Sequence, residues 1–407
     1  MGMMQMSAST DTFSNAAVAR TKPVRSLQTA SYFAAFVGLG LTIGSFGPTL
    51  PGLAAQAGAS LGAVSFLFMA RSLGYLVGSS RGGRLFDRVR GHTLMASALA
   101  VMALMMALVP LAPTLWLLTA ALLALGAAEG TLDVGGNVLV VRVHGRGVGP
   151  YMNGLHFFFG VGALLAPIVV AQSGQGVKLP YRVIALALLP VTGFLLRPPS
   201  PALPLKEEGI PAPRADSRLV ALVALFLFLY VGAEVSFGGW IYTYTVSLKL
   251  GGATTAAYLT SAFWGALTLG RLLAIPLAAR LRPRTVLLCD LAGCLASVGV
   301  ILLWSDSFAA TAAGTLGLGF SMASIFPMTL TLAGRRMTIT GRVTGWFIVG
   351  ASAGSMFLPW LIGQLFERVG PRSTMLVVVL ALALAVVVVV SILRSSRVKC
   401  SQGVAAD

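Results

Sequence analysis

Residues 126–137 read GAAEGTLDVGGN, and within this otherwise apolar run three polar side chains recur every fourth position. Glu129, Asp133 and Asn137 therefore share one face of a helix. A carboxylate withdrawn from water needs a positive partner: a proton, a small cation or a fixed basic side chain. Asp133, with Glu129 assisting, is thus a candidate for loading and releasing a coupling ion, H+ or Na+. Arg71, a base in the middle of another apolar stretch, offers the competing reading, a structural ion pair with one of the two acids. Gly126 and Gly130 lie beside the acids and permit close approach of a second helix or of a ligand.

Two further stretches carry polar groups at helical spacing. In 150–160, PYMNGLHFFFG, the side chains of Asn153, His156 and Gly160 fall on one face. An intramembrane histidine there either carries protons, hydrogen-bonds a polar substrate or serves structure. In 230–244, YVGAEVSFGGWIYTY, Glu234 precedes Trp240, Tyr242 and Tyr244. Aromatic faces beside a carboxylate suit a ligand rich in hydroxyls, and an interfacial aromatic belt is the other reading. Gly238-Gly239 predicts a weakened helix at its middle. Asn137, Asn153, His156, Glu234, Trp240 and Tyr244 are accordingly expected to line a substrate cavity. Arg271 and Asp290, both near one end of their helices, are expected to form a structural ion pair.

These residues must be held by elements that cross a membrane. The 407-residue chain is 57% hydrophobic and 10% charged, with a mean hydropathy of +0.87. Soluble domains carry about 25% charged residues, so a soluble enzyme, a disordered chain and a secreted disulfide scaffold are excluded. A spanning helix needs about 20 mostly apolar residues. Twelve stretches qualify: 28–52, 61–82, 92–112, 114–141, 151–172, 180–197, 218–247, 254–278, 284–304, 308–333, 343–366 and 372–394. Residues 198–217 are proline-rich and charged, and read as a linker between six-helix bundles over 28–197 and 218–394. Tails of 1–27 and 395–407 complete the plan. Cys289, Cys294 and Cys400 show no metal or disulfide spacing and read as small apolar residues.

The net charge of +17 resolves topologically. Of 29 basic residues, 22 fall in the tails, the linker and the even-numbered connections, and five in the odd-numbered ones. By the positive-inside rule both tails and the linker are cytoplasmic, in a cytoplasmic membrane, and the charge calls for no nucleic acid. The partners expected are the lipid bilayer and a small-molecule substrate, with no cofactor and a monomeric chain. An offset of 192 positions aligns Gly47 with Gly239, Gly78 with Gly270, Arg88 with Arg280, Gly162 with Gly354 and Pro167 with Pro359. The chain thus reads as an all-α membrane protein of twelve helices in two six-helix pseudo-repeats.

After the second stretch, GRLFDRVRGH over 83–92 resembles the signature loop of the major facilitator superfamily, G-x-L-x-D-R-x-G-R-[RK], with an imperfect second half. Gly83, Asp87, Arg88 and Arg90 are read as a gate that latches the two halves on the cytoplasmic side. Asp133-x-x-x-Asn137, LHFFFGVGALLAP over 155–167 and YVGAEVSFGGW over 230–240 are similar to the fucose permease branch, and within it to the sodium-dependent glucose transporter-like members. That resemblance implies symport of a monosaccharide with H+ or Na+, with Asp133 as the coupling acid and Glu234 in the matching helix-7 motif. Fucose permease also carries an acid on its first helix, where this chain has none, so its proton mechanism does not transfer directly. The alternative is a proton-coupled antiporter exporting an amphipathic, drug-like compound. The usual exporter stretch, G-x-x-x-G-P-x-x-G-G, is absent from helix 5.

Overall fold

The computed structural model describes residues 7–174, 176–197, 199 and 216–402, with side chains described except at 7–23, 146, 278–279 and 395–402. Most of the expected linker, at 198 and 200–215, lies outside the described residues, as do the ends of both tails. Among the described residues there are helices and no strands. Twelve helices are long and apolar enough to cross a membrane: α1 Val24–Gln56, α2 Leu61–Phe86, α3 Gly91–Leu111, α4 Leu115–His144, α5 Gly149–Gln172, α6 Lys178–Leu195, α7 Ser217–Ser247, α8 Ala253–Leu277, α9 Pro283–Leu303, α10 Phe308–Gly334, α11 Gly341–Val369 and α12 Ser373–Arg394.

Their ends follow local chemistry. Ser60, Ser307 and Thr340 cap α2, α10 and α11 by accepting the backbone N–H of the third residue on. Gly145 and Gly370 end α4 and α11 with φ of +52° and +100°, a region glycine enters without a Cβ clash. Two helices are interrupted. α2 breaks at Ser65, and α10 at Ala323–Ser324, three residues before Pro327. Pro327 lacks an N–H, and its ring crowds the carbonyl four residues back, at Ala323, which favours a break at that point. The weakness expected in α7 does not occur: that helix is continuous, and Gly238-Gly239 serve packing. A Cβ on Gly47 of α1 would stand 2.6 Å from the Gly238 carbonyl, and one on Gly239 would stand 2.7 Å from the Phe68 ring.

The internal repeat appears as repeated packing. α1 lies on α5 and α7 on α11; α2 lies on α4 and α8 on α10; α3 lies on α6 and α9 on α12. The aligned glycines do the same work in each half. A Cβ on Gly162 would collide with the Val37 carbonyl, and one on Gly354 with the Phe228 carbonyl. Gly78 meets the Ala127 carbonyl, and Gly270 the Phe320 carbonyl. With no hydrophobic drive between helices in lipid, such backbone-to-backbone contact holds a bundle together.

The contacts between halves concentrate from mid-helix to the end opposite the arginine-rich 2–3 loop. Ser355 Oγ donates to Ser72 Oγ at 3.1 Å. Beyond it, Ser65 Oγ lies 3.3 Å from the Trp360 carbonyl, Gln364 Nε2 donates to the Gly62 carbonyl at 2.8 Å, and Gly62 N–H donates to Glu367 Oε1 at 3.1 Å. Phe68 stacks on Trp240 with centroids 6.1 Å apart. This end is sealed.

Candidate functional site

The polar groups of the membrane interior gather in two clusters, one per half. In the N-terminal half, α2 and α4 run parallel at a constant offset of 58 residues. Gly126 and Gly130 make this possible, because a Cβ there would collide with the carbonyls of Arg71 and Tyr75. The glycines beside the acids thus admit a helix. Arg71 donates from Nε to Glu129 Oε2 at 2.9 Å and from Nη2 to Glu129 Oε1 at 2.5 Å. Their side chains are 10% and 1% exposed, and the guanidinium also lies 5.1 Å from the centroid of the Phe46 ring. Glu129, expected to assist ion coupling, is therefore locked in a buried, two-pronged ion pair.

One turn on, Asp133 is held differently. Tyr75 donates its hydroxyl proton to Asp133 Oδ2 at 2.5 Å, and Asn137 Nδ2 donates to Oδ1 at 3.2 Å and to the Asp133 carbonyl at 2.9 Å. Two neutral donors orient this carboxylate, and among the described residues no basic side chain pairs with it. The carboxyl is hydrogen-bonded but has no fixed cation beside it among the described residues. Tyr75 escaped the sequence reading, although its spacing of four from Arg71 repeats that of Asp133 from Glu129 and is the signal that would have found it. On α5, Asn153 is exposed and His156 half-buried, its ring edge-on to Phe36 at 6.1 Å.

In the C-terminal half the expected Arg271–Asp290 pair does not form. Arg271 Nη2 approaches Glu234 Oε1 at 4.0 Å, and Asp290 accepts a hydrogen bond from Ser324. Helix periodicity explains the exchange. Gly270 is spent on the α10 contact, so the next side chain, a hundred degrees around α8, points to α7. Asp290 lies on the ridge of α9 that also carries Gly293, against Ser321, and thus faces the α10 break that presents the Ser324 hydroxyl. Glu234 accepts a hydrogen bond from Tyr230, whose oxygen also lies 2.9 Å from the Met322 carbonyl at that break.

Trp240 and Tyr244, expected along the cavity, are fully buried at the sealed end. Trp240 packs between Phe68 and Phe366 and donates Nε1–H to the Pro359 carbonyl at 3.1 Å. The gate residues also act otherwise than expected in this conformation. Asp87 pairs with Arg142 of its own half at 2.9 Å, and Arg142 also donates to the Phe86 carbonyl at 3.0 Å. Arg88 and Arg90 are exposed, and nothing within 4 Å crowds a Cβ on Gly83. A groove of about 800 Å³ opens elsewhere, between α5, α8 and α10, lined by Leu164, Ile168, Leu269, Leu316 and Phe320 among others. It carries no charged group, and its exposed leucines belong to a lipid-facing surface.

This arrangement agrees with what the sequence and fold resemble. The profile of the Major Facilitator Superfamily matches residues 30–359. The chain is 33% identical over 358 residues to sodium-dependent glucose transporter 1 of Xenopus laevis, covering 80% of this chain and 73% of that protein. It is 31% identical over 376 residues to sodium-dependent glucose transporter 1 of Homo sapiens, covering 82% and 72%. The fold matches the solved structure of the nucleoside transporter NupG with a TM-score of 0.74 at 12% identity, over 90% of this chain and 99% of that one. Twelve spanning helices in two repeated halves, with their polar groups turned inward, are thus explained together: the chain belongs to the Major Facilitator Superfamily of membrane transporters.

Proposed function

We propose that the protein is a secondary active transporter that couples uptake of a monosaccharide, or a similarly hydroxyl-rich solute, to entry of a small cation by alternating access of its two halves. The observation that carries this reading is the contrast on α4. Glu129 already has its cation in Arg71, whereas Asp133 has oriented neutral donors and, among the described residues, no basic partner. A site that must bind and release an ion needs a carboxylate with no fixed basic partner, and the absence of one at Asp133 among the described residues supports this reading. The names of the relatives favour Na+ over H+ and glucose among sugars. Asn137, Asn153, His156 and Glu234 are the side chains offered to the solute; Trp240 and Tyr244 instead close the far end.

With the arginine-rich loops on the cytoplasmic side, the sealed end faces outward, and the conformation is one that opens to the cytoplasm. The protein in proteoliposomes should accumulate glucose under an inward Na+ gradient, and more weakly or not at all under a pH gradient alone. Uptake indifferent to both gradients would sink the symport reading. The apolar groove between α5, α8 and α10 is the one feature that suits the alternative, export of an amphipathic compound against protons. Drug resistance of expressing cells without sugar uptake would decide for it.

A further inference from the structure

The two ion pairs of the membrane interior differ in kind. Arg71 and Glu129 are closed, with hydrogen bonds of 2.5 and 2.9 Å and almost no exposure. Arg271 and Glu234 stand 4.0 Å apart, beyond hydrogen-bond distance, with side chains 26% and 14% exposed. Among the described residues the Arg271 guanidinium makes no hydrogen bond, so its fork of donors is unspent. Glu234 is fixed from behind by Tyr230, itself lodged against the Met322 carbonyl, so one oxygen is occupied while Oε1 stays turned toward Arg271. Gly160 and Thr268, the latter one turn from Arg271, hold α5 and α8 together there.

A half-open ion pair contributes little to stability, because water screens it. It is well made, however, for a ligand that brings a donor and an acceptor on neighbouring atoms. We infer that Arg271 and Glu234 form a clamp for two adjacent hydroxyls of the transported solute. The guanidinium donates to the oxygen of one hydroxyl, and Glu234 Oε1 accepts the proton of the next. The hydroxyls thereby fill the gap left by the missing direct hydrogen bond. The clamp has no net charge and so suits neutral polyols: a sugar-acid carboxylate drawn to Arg271 would also lie against Glu234. This inference rests on the sugar-transport reading and names the residues that set its specificity.

The test compares wild type, Arg271→Gln, Arg271→Lys and Glu234→Gln, purified in nanodiscs, for binding of glucose and of each monodeoxyglucose. Hydrogen bonds to charged groups are worth enough that each neutral variant should weaken glucose binding about 10- to 100-fold. In wild type, two deoxy analogues lacking neighbouring hydroxyls should lose a similar factor. In the variants those same two analogues should lose nothing further, while the other analogues behave as in wild type. Arg271→Lys should recover part of the loss. Na+-dependent thermal stabilisation, a property of Asp133 in the other half, should persist in all three and so report that the variants are folded. Equal weakening of every analogue, unchanged glucose binding in the variants, or tighter binding of glucuronate than glucose by wild type would each overturn the clamp. Wild type that takes up no sugar would instead overturn the reading on which it rests.

Discussion

At the scale of single residues, two acids one turn apart on α4 face different partners, and we propose opposite roles for them. Glu129, paired with Arg71, takes the structural one. Removing one partner of a buried pair leaves a charge stranded in low dielectric, at a cost of about 3–5 kcal/mol. Glu129→Gln or Arg71→Gln should therefore lower the melting temperature of the purified protein sharply. The double variant Arg71→Leu with Glu129→Leu should regain much of that loss. Thermal melts of the three separate this from a coupling role, in which the double variant would be stable but uncoupled. Trp240 supplies a second check. Buried between Phe68 and Phe366, it acts on the seal, so Trp240→Phe should leave the apparent sugar affinity within about twofold while Trp240→Ala destabilises by about 3–5 kcal/mol. A sugar KM that rises tenfold in Trp240→Phe would return this residue to the cavity.

At the scale of elements, glycine decides which helices touch. Gly126→Val and Gly130→Val should prevent α2 from seating on α4 and yield no folded protein by size-exclusion chromatography, whereas Gly83→Ala should be silent. The twelve spans were legible in the sequence to within a few residues, because lipid forces each into one apolar run of fixed length. Which helix would break was not. Gly238-Gly239 on α7 looked like a weakness when judged by propensity alone, yet the pair admits α1 and Phe68. The interruptions fall instead on α2, at Ser65, and on α10, upstream of Pro327. The same limit explains the misassigned partner of Arg271. Depth along a helix is readable from position, but direction around it depends on which neighbour Gly270 meets. That Asp133 and Asn137 share a face was legible from their spacing, whereas the hydroxyl donor Tyr75, on a different helix, was hidden.

At the scale of the whole molecule, the contacts between the halves, among the described residues, gather from mid-helix to one end. Glu367 and Gln364 of α11 grip the first turn of α2, where the carboxylate accepts a backbone N–H at the positive end of a helix. Glu367→Gln combined with Gln364→Ala should loosen this grip and shift the population toward the conformation open at the far end. Spin-label distances between α2 and α11 at that end should lengthen in a larger fraction of molecules. An unchanged distance distribution would assign the seal to the apolar stack of Phe68 on Trp240. The Asp87–Arg142 pair lies within one half and Arg88 and Arg90 are exposed; we propose that these two arginines act when the basic end closes.

The central claim is that Asp133 carries the coupling ion, and it is tested most directly by comparing two kinds of sugar movement in Asp133→Asn proteoliposomes. Asparagine keeps the size and a hydrogen-bonding oxygen for Tyr75 but brings no negative charge to balance a cation. We expect glucose counterflow, which needs only the two halves to alternate with sugar bound, to continue, and Na+-driven accumulation above equilibrium to vanish. Accumulation at the wild-type level in Asp133→Asn would contradict the claim and move the coupling site elsewhere in the bundle.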